Sequence, residues 1–189
     1  MDFLWVVVAY LVGSLTFGQI AGVIKGFNLA DRDTPGASGT FRQLGARWGV
    51  AVALADVLKG VLVAYLSQFG QEPWSVVLMG VAVVAGHNWP IFFGFRGGGG
   101  IAPTLGFFGF LYPTITFIAA AIGLGVAGLY WQLYWKRHRQ SWYPFPVGAL
   151  VGYIYALIAF WPTGIGFWAF LGVSGVVALR GLRMVRNGR

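Results

Sequence analysis

The uncharged run IAPTLGFFGFLYPTITFIAAAIGLGVAGLYWQLYW, residues 101–135, decides how many times this chain crosses a membrane. About 20 apolar residues span a bilayer core, so the run is too long for a single span. Tyr112-Pro113-Thr114 is its natural break, since a proline interrupts a helix. The division gives a short fourth span and a full-length fifth.

Outward from this run the chain keeps the same character. It is 58% hydrophobic and only 10% charged over 189 residues, with a mean hydropathy of +0.72. A soluble domain of that length could not hide so much apolar surface. Three spans precede the run, at Phe3–Ile24, Trp48–Phe69 and Trp74–Phe95, and two short ones follow it, at Val147–Phe160 and Ile165–Leu179. The expectation is an all-α polytopic membrane protein with seven transmembrane helices in a single domain. The first apolar segment lacks a basic flank and is long enough to span, so it reads as an anchor and not as a cleaved signal.

Charge placement sets the orientation. Every Lys and Arg except Lys59 falls in one of four segments: the loop Lys25–Arg47, the stretch around Arg96, the loop Lys136–Pro146 with Arg137 and Arg139, and the tail Arg180–Arg189. With seven spans all four lie on one side, which the positive-inside rule makes cytoplasmic, with the N-terminus outside and the C-terminus cytoplasmic. Trp131, Trp135 and Trp142 suit the aromatic belt at the same face. The net charge of +8 is thereby absorbed by topology and by attraction to anionic lipid, and no nucleic-acid partner is expected. Two histidines and no cysteine are too few good ligands for a metal site, and no cofactor is expected.

The segment Gly86-His87-Asn88-Trp89-Pro90, followed by Phe95-Arg96-Gly97-Gly98-Gly99-Gly100, carries the chemistry. Glycine allows a sharp turn that exposes several N–H groups together, as an anion requires. A helix starting near Ile101 would add its positive end. The alternative use of such glycines is close helix packing. Asp56 and Lys59 lie one turn apart inside the second span; they form either a mutual pair that locks the bundle or, through Lys59, the positive floor of an anion pocket. Arg42 follows Gly36-Ala37-Ser38-Gly39-Thr40, where a guanidinium beside hydroxyl and amide donors makes a phosphate clamp. Asp31 and Asp33 stand near enough to orient Arg32 or Arg42. His87 either satisfies a helix end or holds an anion or a substrate hydroxyl.

The order of these motifs resembles the PlsY-type acyl-phosphate:glycerol-3-phosphate acyltransferases, seven-span enzymes of bacterial phospholipid synthesis. Tyr10-Leu11-Val12-Gly13-Ser14-Leu15-Thr16-Phe17-Gly18 is similar to the family's opening helix. Arg42-Gln43-Leu44-Gly45, Asp56-Val57-Leu58-Lys59-Gly60, Gly86-His87-Asn88-Trp89-Pro90 and Phe95-Arg96-Gly97-Gly98 follow in register. The chain is a divergent member by this resemblance. Gly99 stands where the second motif has its phosphate-binding lysine, the first motif loses a serine and both asparagines, and the third motif is missing from a tail that offers Arg180, Arg183 and Arg186.

The resemblance implies transfer of an acyl group from acyl phosphate to glycerol-3-phosphate, giving lysophosphatidate in the bacterial inner membrane. It implies His87, Asn88 and Ser38 as catalytic residues. Gly36, Thr40, Arg42, Arg96, Lys59 and Gly97 to Gly100 would bind the two substrates, with an enzyme that makes acyl phosphate as a partner. The rival reading is a non-catalytic or transport protein of the same fold that binds anionic lipid or phosphate.

Overall fold

The structure, a computed structural model, describes residues 2–138 and 144–186. Arg139, Trp142 and Arg189 lie outside the described residues. Among the described residues every regular element is a helix. The first span is made of two pieces, α1 (Asp2–Ser14) and α2 (Phe17–Ile24), broken at Leu15-Thr16. The polar loop contains two short helices, α3 (Leu29–Arg32) and α4 (Ala37–Leu44). Then come α5 (Ala46–Leu66), α6 (Trp74–Asn88), α7 (Ile101–Leu111), α8 (Pro113–Tyr130), α9 (Pro144–Phe160) and α10 (Ile165–Arg186).

Among the described residues six helical segments are long and apolar enough to cross a membrane. The apolar helix α7 is not, since its 11 residues rise about 16 Å, roughly half the hydrocarbon thickness. The expected break is where α7 closes, with the Tyr112 N–H donating to the Phe108 carbonyl and Pro113 opening α8. Large apolar side chains cover the outer faces; Phe117 and Ile158 are 69% and 70% exposed, which is tolerable only where lipid replaces water.

Between helices the bilayer supplies no hydrophobic driving force, so close backbone packing must hold them. Gly60 of α5 faces the Pro103 carbonyl of α7, and Gly106 of α7 faces the Val57 carbonyl, with no room for a Cβ at either. Gly13 and Gly86 join α1 to α6 in the same way. Pro103 is only the third residue of α7, whereas Gly60 is the fifteenth of the 21 residues of α5. The start of α7, and the glycine stretch before it, therefore reach halfway along the bundle. That is why α7 needs so few residues.

Hydrogen bonds identify the two ends. At one, the Asp2 carboxylate accepts from the Gln71 and Glu72 N–H groups, both at 3.0 Å. At the other, Gln19 donates to the Arg96 carbonyl at 3.1 Å, and the Arg180 guanidinium donates to the carbonyls of Gly97 and Gly98. The first loop, the glycine stretch and the end of α10 thus gather at one end.

Candidate functional site at the glycine stretch

The break at Leu15-Thr16 exposes carbonyls at the end of α1 that no helical N–H can satisfy. Lys59 answers them, donating to the carbonyls of Gly13 and Leu15, each at 2.9 Å. His87 Nδ1 and the carboxylate of the fully buried Asp56 both stand 2.9 Å from Nζ, so four groups surround an ammonium that has three protons. His87 Nδ1 is also 3.5 Å from Asp56 Oδ1, and its Nε2 lies against Gly98, where a Cβ would overlap it.

The glycines therefore differ in what they do. Gly97 and Gly98 donate their N–H groups to the carbonyls of Asn88 and His87, at 3.2 and 3.0 Å, and neither has space for a side chain. Gly100 takes a left-handed conformation, φ 87°, as the residue before α7. Gly99 has open space around its Cβ position. Among the described residues no hydrogen bond uses the N–H of Gly99 or Gly100, so two amides of the expected four are uncommitted. Asn88 packs its amide against Gly100, and that buried amide has no hydrogen-bond partner. A buried polar group in that state is missing a water or a ligand.

The first loop closes over this stretch. Arg96 bonds Asp31 at 2.6 Å and the Ala30 carbonyl at 2.7 Å. Arg42 makes a two-pronged pair with Asp33, Nε to Oδ2 at 2.9 Å and a terminal nitrogen to Oδ1 at 2.6 Å. Burial raises the Asp33 pKa, but the hydrogen bonds from Arg42 and the Thr34 N–H together with the Arg42 charge outweigh it and hold the carboxyl below its ordinary value. The pair is thus complete at neutral pH and is lost only as pH falls through that lowered pKa. The buried Thr40 hydroxyl donates to the Gly36 carbonyl at 2.8 Å, and Ser38 is exposed in the first turn of α4.

Gly36, the residue before α4, brings the two motifs together: a Cβ there would stand 3.7 Å from Gly98 Cα. Here the start of α4 meets the glycine stretch, three residues before α7 begins. Both helix starts carry unsatisfied N–H groups and the positive end of a dipole, with Arg180 and the paired Arg42–Asp33 and Arg96–Asp31 nearby. Such an arrangement favours anions strongly.

Sequence reasoning missed two members. Arg180 reads as one more tail charge, yet it grips the glycine stretch, while Arg183 lies over the Trp89 ring with 5.5 Å to its centroid; their i, i+3 spacing was the available signal. Gln19 is a lone amide in the apolar α2, and a polar side chain there is itself a sign of a site.

The family model for glycerol-3-phosphate acyltransferase matches residues 3–180. A glycerol-3-phosphate acyltransferase of Aquifex aeolicus is 32% identical over 170 residues, 88% of this chain and 84% of the relative. Glycerol-3-phosphate acyltransferase 2 of Deinococcus radiodurans is 38% identical over 154 residues, 77% and 79% of the two chains. The crystal structure of PlsY (YgiH), an integral membrane glycerol 3-phosphate acyltransferase, in its glycerol 3-phosphate form, superposes with a TM-score of 0.82 at 28% identity. It covers all of this chain and 93% of the other. From motif order, helix arrangement and relatives alike, this chain belongs to the glycerol-3-phosphate acyltransferase family.

Proposed function

We propose that this protein is a membrane enzyme of phospholipid synthesis that moves an acyl group from acyl phosphate to the 1-hydroxyl of glycerol-3-phosphate. The approach of the start of α4 to the glycine stretch that leads into α7, at Gly36 and Gly98, carries the reading. Two phosphate-bearing substrates must be brought together, and one anion-binding end is available for each.

The attacking oxygen bonds the acyl carbon, the bond from that carbon to the phosphate oxygen breaks, and phosphate leaves with the proton of the attacking hydroxyl. A good leaving group removes the need for a protein nucleophile, so positioning and electrostatics suffice. In this reading Arg42 and Ser38 hold the glycerol phosphate, with Gly36 and Thr40 shaping the start of α4. The N–H groups of Gly99 and Gly100 hold the acyl phosphate beside the Asn88 amide, and Gly97 and Gly98 let the chain pass close to His87. His87, whose Nε2 lies against the glycine stretch, serves as a donor to phosphate and not as a base. Arg96 joins the loops. Lys59, with every proton committed, holds His87 and takes no substrate directly, a role different from the pocket floor that its position in the sequence suggests.

We further read the chain as spanning seven times, α7 and the glycine stretch together making the fourth crossing. The basic end faces the cytoplasm of a bacterial inner membrane, within reach of an enzyme that makes acyl phosphate.

Purified protein given palmitoyl phosphate should release phosphate only when glycerol-3-phosphate is present. Arg42→Ala should lower that release by about 100-fold, the usual cost of losing a charge-binding donor. Release that ignores the acceptor, or an unaffected Arg42→Ala, would sink the assignment; anion binding with no release from any acceptor would favour the non-catalytic alternative.

A further inference from the structure

The guanidinium of Arg42 is already engaged. The chain has 13 basic residues and only five acidic ones, yet one of the five, Asp33, fills the fork of the arginine assigned above to the glycerol phosphate. Its two bonds, at 2.9 and 2.6 Å, use Nε and one terminal nitrogen. A guanidinium binds carboxylate and phosphate through the same planar, two-pronged arrangement. Asp33 therefore makes the contacts that a phosphate would make there.

The loop itself places this carboxylate. Asp33 follows α3 in extended backbone, and its Oδ1 also accepts the Thr34 N–H at 2.7 Å. The same oxygen would stand 3.1 Å from a Cβ at Gly39, the third residue of α4. The carboxylate thus lies against the first turn of α4, where the N–H groups of Ala37, Ser38 and Gly39 make no hydrogen bond among the described residues. The Arg42 side chain is 40% exposed and that of Asp33 16%, so the guanidinium stays within reach of an incoming anion. The Arg96–Asp31 pair is built differently: it joins two loops and is reinforced by the Ala30 carbonyl, the pattern of a clasp.

We propose that Asp33 is a resident competitor for the acceptor's phosphate, filling Arg42 while the site is empty, yielding to glycerol-3-phosphate and returning to expel the product. The proposal rests on the acyl-transfer reading above. Acylation of the 1-hydroxyl leaves the phosphate untouched, so lysophosphatidate keeps the group that Arg42 holds. A tight clamp would grip substrate and product alike. That adds nothing to the rate once substrate is in excess, and it slows release, the step that limits many enzymes. Asp33 sits nine residues from Arg42 on the same loop, and such a short tether keeps it at an effective concentration of about millimolar. Exchange with it lets the phosphate leave without stranding a bare guanidinium. The displaced carboxylate keeps its bond to the Thr34 N–H, which does not involve Arg42. Exposed ion pairs are worth a factor of about five at most, so a doubly charged phosphate can displace this one.

The test is calorimetric titration of the purified protein with glycerol-3-phosphate, together with inhibition of turnover by lysophosphatidate. Asp33→Asn keeps the shape of the side chain and an acceptor for the Thr34 N–H while removing the charge. It should tighten both glycerol-3-phosphate binding and lysophosphatidate inhibition by about three- to fivefold. Asp33→Ser, too short to reach Arg42, should do the same, and thermal unfolding confirms that each variant is folded. The sign decides. An aspartate that only orients Arg42 for substrate would make both variants bind more weakly, and weaker or unchanged affinity in the folded variants overturns the proposal. Absence of glycerol-3-phosphate binding in wild type and variants alike overturns it too. A wild-type protein that binds glycerol-3-phosphate but turns over no acyl phosphate counts instead against acyl transfer, and the order of affinities still judges the role of Asp33.

Discussion

Lys59→Met should leave little folded protein. The carbonyls of Gly13 and Leu15 lose their donor at once, His87 Nδ1 loses its neighbour at 2.9 Å, and the fully buried Asp56 loses its counter-charge. Breaking a buried ion pair from one side costs about 3–5 kcal/mol, which is comparable to the whole margin of a small domain, about 5–15 kcal/mol. Thermal unfolding in detergent should show a large drop or no cooperative transition. Asp56→Asn should be milder, because Lys59 keeps its bonds to the Gly13 and Leu15 carbonyls and the break in the first span stays satisfied. Equal unfolding temperatures for Lys59→Met and the parent chain would show that the α1–α2 break is satisfied some other way.

Gly98→Ala should reduce acyl transfer by about 100-fold or more, the scale of loss that follows a displacement of about 1 Å at a reacting centre. The added methyl overlaps His87 Nε2, and the ring cannot yield because Lys59 pins its other nitrogen at 2.9 Å. Gly99→Lys, one residue on, should fold normally and keep or raise turnover. Its Cβ meets open space, and the new ammonium restores a cation where the family's second motif carries one. Wild-type activity in Gly98→Ala would show that the ring moves freely; loss of folded protein in Gly99→Lys would show that the space at Gly99 is needed.

That contrast marks where sequence reading stops. Four glycines in a row look equivalent on the page, and only their surroundings, the His87 carbonyl at Gly97, the His87 ring at Gly98 and the Asn88 and Val84 side chains at Gly100, separate those that must stay glycine from the one that need not. The Asp56–Lys59 pair was legible from its spacing along one helix. Its carbonyl partners were not, because they come from a helix break more than forty residues away. The break at Pro113 was legible, since proline states its own geometry. The helices α3 and α4 inside the polar loop were not, because four to eight residues carry too little periodicity to register. The sequence offered Asp31 and Asp33 alike to Arg32 or Arg42, and only the fold pairs Asp33 with Arg42 and brings Asp31 to Arg96 in the other loop. Arg180 was counted as topology because a tail charge looks the same whether it faces lipid headgroups or a loop.

The shortness of α7 has a consequence for how two immiscible reactants meet. In a bilayer, a glycine stretch that descends deep beside α5 carries the aqueous phase down with it, walled by peptide dipoles and arginines in place of lipid headgroups. A water-soluble dianion then keeps polar company all the way, avoiding the large penalty of entering hydrocarbon bare. The fatty tail, for its part, never leaves an oily surrounding. The protein acts as a phase-transfer surface folded inward, and the half-length helix is the dent that makes this possible.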